Sequence, residues 1–232
     1  MEAGKDMADK RTSFQDMTLG AFREALASRQ AVPGGGGAAA LAGSLAASLL
    51  VMVGNLTVGK KKYAANEEEI KALMEQADAS AEKLLSLVDA DAAAFRPLSE
   101  AYSLPAATEE EVRIRDEVME QCLRDAAAVP LAICEEVNRV IPLLAALREK
   151  GSVLAVSDVG CAAALAEAAL KSAALNVYVN TRLMKDRTYA EDLNGKCSDL
   201  TEKGRTASTV CSLVERQLKK TPNTQKKPAG GR

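Results

Sequence analysis

Pro33-Gly34-Gly35-Gly36-Gly37, followed by residues 38–58, AAALAGSLAASLLVMVGNLTV, is the stretch that decides the fold. Its second part is uncharged over 21 positions, long enough to span a bilayer. Alanine contributes little insertion energy, and Ser44, Ser48, Asn55 and Thr57 weaken a membrane reading further. The alternative is a helix buried on all sides by its neighbours, which small side chains allow to approach closely. Asp158, Glu167 and Lys171 interrupt the next apolar segment, so no second comparable span is expected. The stretch predicts an alanine-rich central helix that begins after Gly37, runs to about Val58 and does not enter a membrane.

On either side of this helix, apolar residues recur with a period near 3.6, and no stretch alternates long enough to argue a strand. Thr18 can cap a helix carrying Leu19, Phe22 and Leu26 on one face. A third helix starts behind Asn66, with Glu67, Glu68 and Glu69 at its positive end and Ile70, Leu73, Ala77, Ala81, Leu84, Val88 and Phe95 along one stripe. Pro97 is expected to bend or end it. Thr108 and Glu111 form a capping box for a helix that Pro130 kinks or divides. Ser157 or Asp158 caps an alanine-rich helix to about Lys185, and a last helix carries Leu193, Cys197, Leu200, Ala207, Cys211, Val214 and Leu218. The chain reads as an all-α helical bundle over residues 13–219, with polar tails at 1–12 and 220–232 expected to be disordered.

Composition narrows the chemistry. The 232 residues include 43 alanines, 30 basic and 32 acidic side chains, and no histidine. The near-neutral charge and 3% aromatic content argue against a nucleic-acid partner. Without histidine there is no Ser/His or Cys/His nucleophile pair and no imidazole zinc site. Proton transfer falls to Asp, Glu, Lys, Tyr, Cys, water or backbone. Five separated cysteines, an odd number with no CxxC, suit reduced thiols in a cytoplasmic protein.

The glycine run can turn successive N–H groups toward one point at a helix start, where the dipole favours an anion. A tight interhelix turn is the plainer explanation, although four glycines exceed what a turn needs. No strand precedes Gly34-x-Gly36-x-x-Ala39, and Ala38 stands where a phosphate loop needs lysine, so neither nucleotide motif applies. Lys60, Lys61 and Lys62 are either a solvated helix end or a patch for an anionic tail. Asp91 shares the stripe of Leu84, Val88 and Phe95, so burial should raise its pKa, with a structural ion pair or cap as the alternative. Asp89 falls on another face and reads as solvated. Asn176 and Asn180 lie four apart on an apolar segment and need partners. On one straight helix Asp158 and Asn176 are about 27 Å apart, beyond one small substrate within a single subunit.

Together these residues resemble the cyclodeaminase/cyclohydrolase family of folate enzymes. The similarity is carried by Pro33-Gly34-Gly35-Gly36, Asn55-Leu56-Thr57-Val58-Gly59-Lys60-Lys61-Lys62-Tyr63, Asp89-x-Asp91-Ala92-x-Ala94-Phe95, Val129-Pro130-Leu131, Ser157-Asp158 and Leu175-Asn176-Val177-x-x-Asn180, in the family's order. The resemblance implies a homodimer or larger assembly, a folate groove near the glycines, and no metal or other cofactor beyond the folate substrate. It implies cyclodeamination of 5-formiminotetrahydrofolate, supplied by a separate formiminotransferase. The alternatives are hydrolysis of the methenyl folate and folate binding without turnover. Asp91 or Asp158 would transfer the proton, Asn176 and Asn180 would orient the pterin, and Gly34, Gly35 and Gly36 would hold a polar group. Lys60, Lys61 and Lys62 would attract a polyglutamate tail. Many relatives carry Ser where this chain has Gly37, which removes a possible cap or ligand contact.

Overall fold

A computed structural model describes residues 13–220. The two expected tails lie outside the described residues, apart from Lys220. The described residues form seven α-helices and no strand: α1 (Leu19–Leu26), α2 (Gly35–Asn55), α3 (Glu67–Ala101), α4 (Glu109–Lys150), α5 (Val156–Thr181), α6 (Arg187–Lys203) and α7 (Arg205–Lys219). The all-α bundle is borne out, with α2 at its centre.

Small residues explain that centre. Gly43, Ala39, Ala40, Ala46, Ala47 and Leu50 are buried on α2, which packs along α3 and α5 and crosses α4. On α5, Ala162, Ala163, Ala166, Ala169 and Ala173 are fully buried. Two alanine-faced helices can lie close together, while Leu84, Ile133, Val137 and Leu144 from α3 and α4 fill the remaining space. Ser44 donates to the Ala81 carbonyl at 2.8 Å, which satisfies the one buried hydroxyl on this part of α2.

Several boundaries differ from those expected. The glycines do not precede α2; Gly35, Gly36 and Gly37 are its first turn, with Gly34 as N-cap. Pro97 lies within α3, and Pro130 and Pro142 lie within α4, which runs unbroken for 42 residues. Burial on both sides of these prolines outweighs the lost N–H donors, since Ala126, Ala127, Ile133 and Cys134 all face the core. Asp158 does not cap α5, whose N-cap is Ala155; it lies in the first turn. The expected last helix is two helices that break at Gly204, where a Cβ would come within 2.0 Å of Leu170 Cδ2. On α1 only Phe22 faces inward, and Leu19 is 81% exposed. The segment Val153–Thr181 is also long and apolar enough to cross a membrane, so α2 is not alone in this. Each of the two is a principal packing neighbour of the other.

This packing predicts that Ala47→Leu, at a fully buried position, destabilises the bundle by about 1–3 kcal/mol through overpacking. Urea unfolding followed by circular dichroism checks it; an unchanged midpoint would contradict the close α2 packing.

Candidate functional site

The site follows from unequal helix lengths. Gly43 lies against Leu84, Gly37 against Val88 and Gly54 against Met74, so α2 and α3 run antiparallel. Asn176 of α5 lies beside Gly35. α2 therefore stops level with Asp91, while α3 continues to Ala101 and α5 continues to Thr181. α3 and α5 do not pack on each other along their lengths; both rest on α4. Past the start of α2 this leaves a groove between them over α4, closed farther out where Leu98, Ala101, Leu123 and Met184 pack into a second buried cluster.

Asp91 sits where that groove meets α2. Its Oδ2 accepts the Gly37 N–H at 2.9 Å. A Cβ on Gly36 would lie 2.1 Å from Asp91 Oδ1, so the carboxylate occupies the space left by a missing side chain. The N–H groups of Gly35 and Gly36 have no hydrogen-bond partner among the described residues. Such donors belong to the first turn of any helix and favour an anion or a carbonyl oxygen. Burial pushes the Asp91 carboxyl above its ordinary 3.8, and the Gly37 hydrogen bond partly opposes that rise.

The two asparagines divide their tasks. Asn176 donates to the Ser172 carbonyl at 2.8 Å and keeps its amide oxygen against the start of α2. Asn180 is buried, and its Nδ2 donates to the carbonyls of Ala126 and Asn176 at 2.9 and 2.8 Å. It ties α5 to the groove floor and has no amide hydrogen left for a ligand.

The other nominated residues lie at the far end of α2. Lys60, Lys61 and Lys62 are exposed there, about 30 Å from the glycines along a 21-residue helix. Tyr63 OH accepts the Val153 N–H at 3.1 Å and Thr57 Oγ1 accepts the Ser152 N–H at 2.8 Å, tying this end to the start of α5. Half-buried Asp158 belongs to that same end. Thus the structure joins Gly35, Gly36, Asp91 and Asn176 at one end and separates them from the lysines and Asp158.

Sequence reasoning missed two contributors. Asp89 is not simply solvated: its Oδ1 accepts the Phe14 N–H at 2.7 Å and its Oδ2 accepts from Ser13 Oγ. It clamps the N-terminal segment to α3 two residues before Asp91, on another face. A partner 75 residues away in sequence leaves no local signal. Gly37 contributes its N–H, and a Cβ there would meet Val88 Cγ1, Pro33 Cβ and the Val88 carbonyl at 3.6–3.7 Å, ordinary contact distances, so a serine fits without disturbing the bond to Asp91. Among the described residues, no three Cys, Asp or Glu side chains are placed to hold a metal ion.

Fold and site together define an all-helical bundle protein with a half-buried carboxylate set on a glycine helix start. The formiminotransferase-cyclodeaminase family profile matches residues 18–199, and the chain belongs to this family. It is 42% identical over 175 residues to a methenyltetrahydrofolate cyclohydrolase of Methylorubrum extorquens, covering 75% of this chain and 84% of that protein. It is 34% identical over 198 residues to a mouse formimidoyltransferase-cyclodeaminase, covering 85% of this chain but only 37% of the relative. The crystal structure of a formiminotetrahydrofolate cyclodeaminase from Thermotoga maritima superposes with a TM-score of 0.78 at 26% identity, over 88% of this chain and 98% of that one.

The glycines should not be equivalent. Gly34→Ala, whose Cβ meets nothing within 4 Å, should change stability by no more than about 0.5 kcal/mol. Gly36→Ala must displace Asp91 and should cost about 1–3 kcal/mol. Thermal unfolding of both variants checks this, and equal melting temperatures would contradict the contact.

Proposed function

We propose that this chain is a folate one-carbon enzyme that hydrolyses 5,10-methenyltetrahydrofolate to 10-formyltetrahydrofolate. The observation that carries the chemistry is the Asp91 carboxylate on the Gly36–Gly37 helix start, with its pKa raised by burial. The 42% identity to a cyclohydrolase, across 84% of its length, favours this reaction.

In this reading the Gly35 and Gly36 N–H groups and the Asn176 amide hold polar edges of the pterin. The Asp91 carboxylate lies against the cationic methenyl carbon and lowers the cost of its positive charge. Water adds to that carbon as Asp91 takes a water proton. The tetrahedral carbon then expels N5, which receives the proton from Asp91, while the hydroxyl on that carbon releases its remaining proton to solvent and becomes the carbonyl oxygen of the formyl group on N10. No cofactor beyond the folate is needed for these steps. Asp158 lies too far from this end to share them within one chain.

Cyclodeamination of 5-formiminotetrahydrofolate is the second reading, favoured by the Thermotoga superposition and the formimidoyltransferase-cyclodeaminase relatives. There N10 attacks the formimino carbon, and Asp91 carries the N10 proton to the departing ammonia. Both reactions place one proton carrier beside one tetrahedral carbon, which is why one site can serve either.

Leu45 and Met52 on α2, Leu56 just past its end, and Leu175 and Val179 on α5 are exposed apolar side chains. A second copy covering them in a homodimer fits this surface, and it is the one route by which Lys60–Lys62 or Asp158 can reach a substrate held at the glycine end. Light scattering at micromolar concentration should give a dimer mass or larger; a monomer mass would overturn the assembly.

Asp91→Asn keeps the shape and loses the basicity, so turnover of methenyl folate, followed by its absorbance, should fall by about 10²–10⁴. Because folding raises this carboxyl pKa, its stabilising contribution is present below pH 3.8 and is lost as pH rises through the raised value. The variant should therefore melt no lower than the native protein at neutral pH. Normal turnover by Asp91→Asn would overturn the assignment. Formation of methenyl folate from 5-formiminotetrahydrofolate, without its hydrolysis, would establish the second reading.

A further inference from the structure

Helices α4 and α6 pack side by side, and two contacts set their register. At one level the Arg124 guanidinium carbon lies 4.2 Å from the centre of the Tyr189 ring. Farther along both helices, Asn138 Nδ2 donates to the Leu200 carbonyl at 3.1 Å. Residue numbers rise together from one contact to the next, so the two helices are parallel. Cys134 and Cys197 fall between these anchors, and their side chains meet in a hydrogen bond. Both are fully buried, and both are free thiols.

The two sulfurs are not equivalent. Cys134 Sγ donates to the Leu170 carbonyl of α5 at 3.8 Å. The adjoining Cys197 sulfur, and then burial, push the Cys134 thiol up. Its hydrogen bond to Cys197 holds the Cys197 thiol down to about 7 against the cost of burial, with the Tyr178 hydroxyl contributing in the same direction. Near neutral pH the pair therefore offers a thiolate with a thiol beside it, which is what thiol oxidation requires.

A buried cysteine is ordinarily inert for want of access, but this pair lies close beneath the surface. Half-buried Tyr178 covers Cys197, and its hydroxyl is 3.4 Å from Oγ of exposed Ser198. On another side, Leu170 and Thr201 line a cavity of about 580 Å³ between α5, α6 and α7. Leu170 is the residue whose carbonyl meets Cys134, and Thr201 stands one turn after Cys197. These approaches suit a small neutral oxidant.

We propose that Cys134 and Cys197 are a peroxide-oxidisable pair that closes into an intrachain disulfide, tying α6 to α4. The Cys197 thiolate attacks one oxygen of a peroxide, the O–O bond breaks, and Cys197 becomes a sulfenic acid. The departing hydroxide takes up the proton that Cys197 had lost and leaves as water. The Cys134 sulfur then attacks the sulfenic sulfur, the S–S bond forms and the S–O bond breaks, and the Cys134 proton leaves with the hydroxide as a second water. The two sulfurs give up two electrons and hydrogen peroxide accepts them. Two thiols and one peroxide thus become one disulfide and two waters. This site is independent of the folate reading.

Mass spectrometry of reduced native protein tests this after treatment with a few equivalents of hydrogen peroxide, denaturation, alkylation and digestion. The expected product is the Cys134 peptide joined to the Cys197 peptide, two hydrogens lighter than the separate thiol peptides and returned to them by dithiothreitol. In Cys134→Ala, dimedone should label Cys197, because the sulfenic acid has no neighbouring thiol to resolve it. In Cys197→Ala, Cys134 should remain a thiol at the same dose. Circular dichroism checks that each variant is folded, and the joined peptides of the native protein decide the pairing without either variant. Full alkylation of Cys134 and Cys197 at a dose that oxidises exposed Cys161 would overturn the proposal. A disulfide joining either residue to a different cysteine would also overturn it.

Discussion

A helix usually begins by covering its own first turn with side chains; here α2 begins with none, and the Asp91 carboxylate lies directly on its backbone. The 2.9 Å bond from the Gly37 N–H to Asp91 Oδ2 needs the open face of Gly36, where any Cβ would overlap the carboxylate. That one close approach fixes the register of α2 against α3. It places Asn176 of α5 over Gly35, and it leaves the longer outer ends of α3 and α5 standing as groove walls. The same contact keeps an ionisable group in a half-buried place without a countercharge, so the carboxyl titrates above its ordinary range. Fold and chemistry share a single constraint.

The alanine content serves the same arrangement at a larger scale. A central helix with large side chains would hold α3 and α5 farther from its axis, and the groove walls would be less close to the glycine end. Because Ala46, Ala47, Ala166 and Ala169 are all fully buried, the bundle positions its site by backbone proximity rather than by long side chains. Asp89, bonded to Ser13 and Phe14, fixes the same turn of α3 from another face. Asn180 does the same for α5 through the Ala126 carbonyl. These two residues are polar fasteners for the walls on which Asp91 and Asn176 stand.

Much of this was legible in the sequence, because periodicity and glycine chemistry are local. The stripe through Leu84, Val88 and Phe95 put Asp91 on an inward face, and Thr108 with Glu111 marked the start of α4, whose capping box is present in full. Other features depend on what lies across the bundle. Pro130 read as a kink or division, yet the surrounding core keeps α4 continuous. Asn176 and Asn180 looked alike until the groove floor claimed both N–H groups of the second. The family motifs identified Lys60–Lys62 and Asp158 together with the glycines, but in one chain they occupy opposite ends of α2. Linear order carries no information about that distance unless the helices between are counted out.

The account stands on where the folate ring sits. A crystal structure of Asp91→Asn with 5,10-methenyltetrahydrofolate bound addresses it directly, since the slowed variant should retain the unhydrolysed ligand. The account predicts the bicyclic ring against Gly35–Gly37 and Asn176, with its methenyl carbon facing position 91. A ring seated at the far end of α2, among Lys60–Lys62 and Asp158, would contradict it.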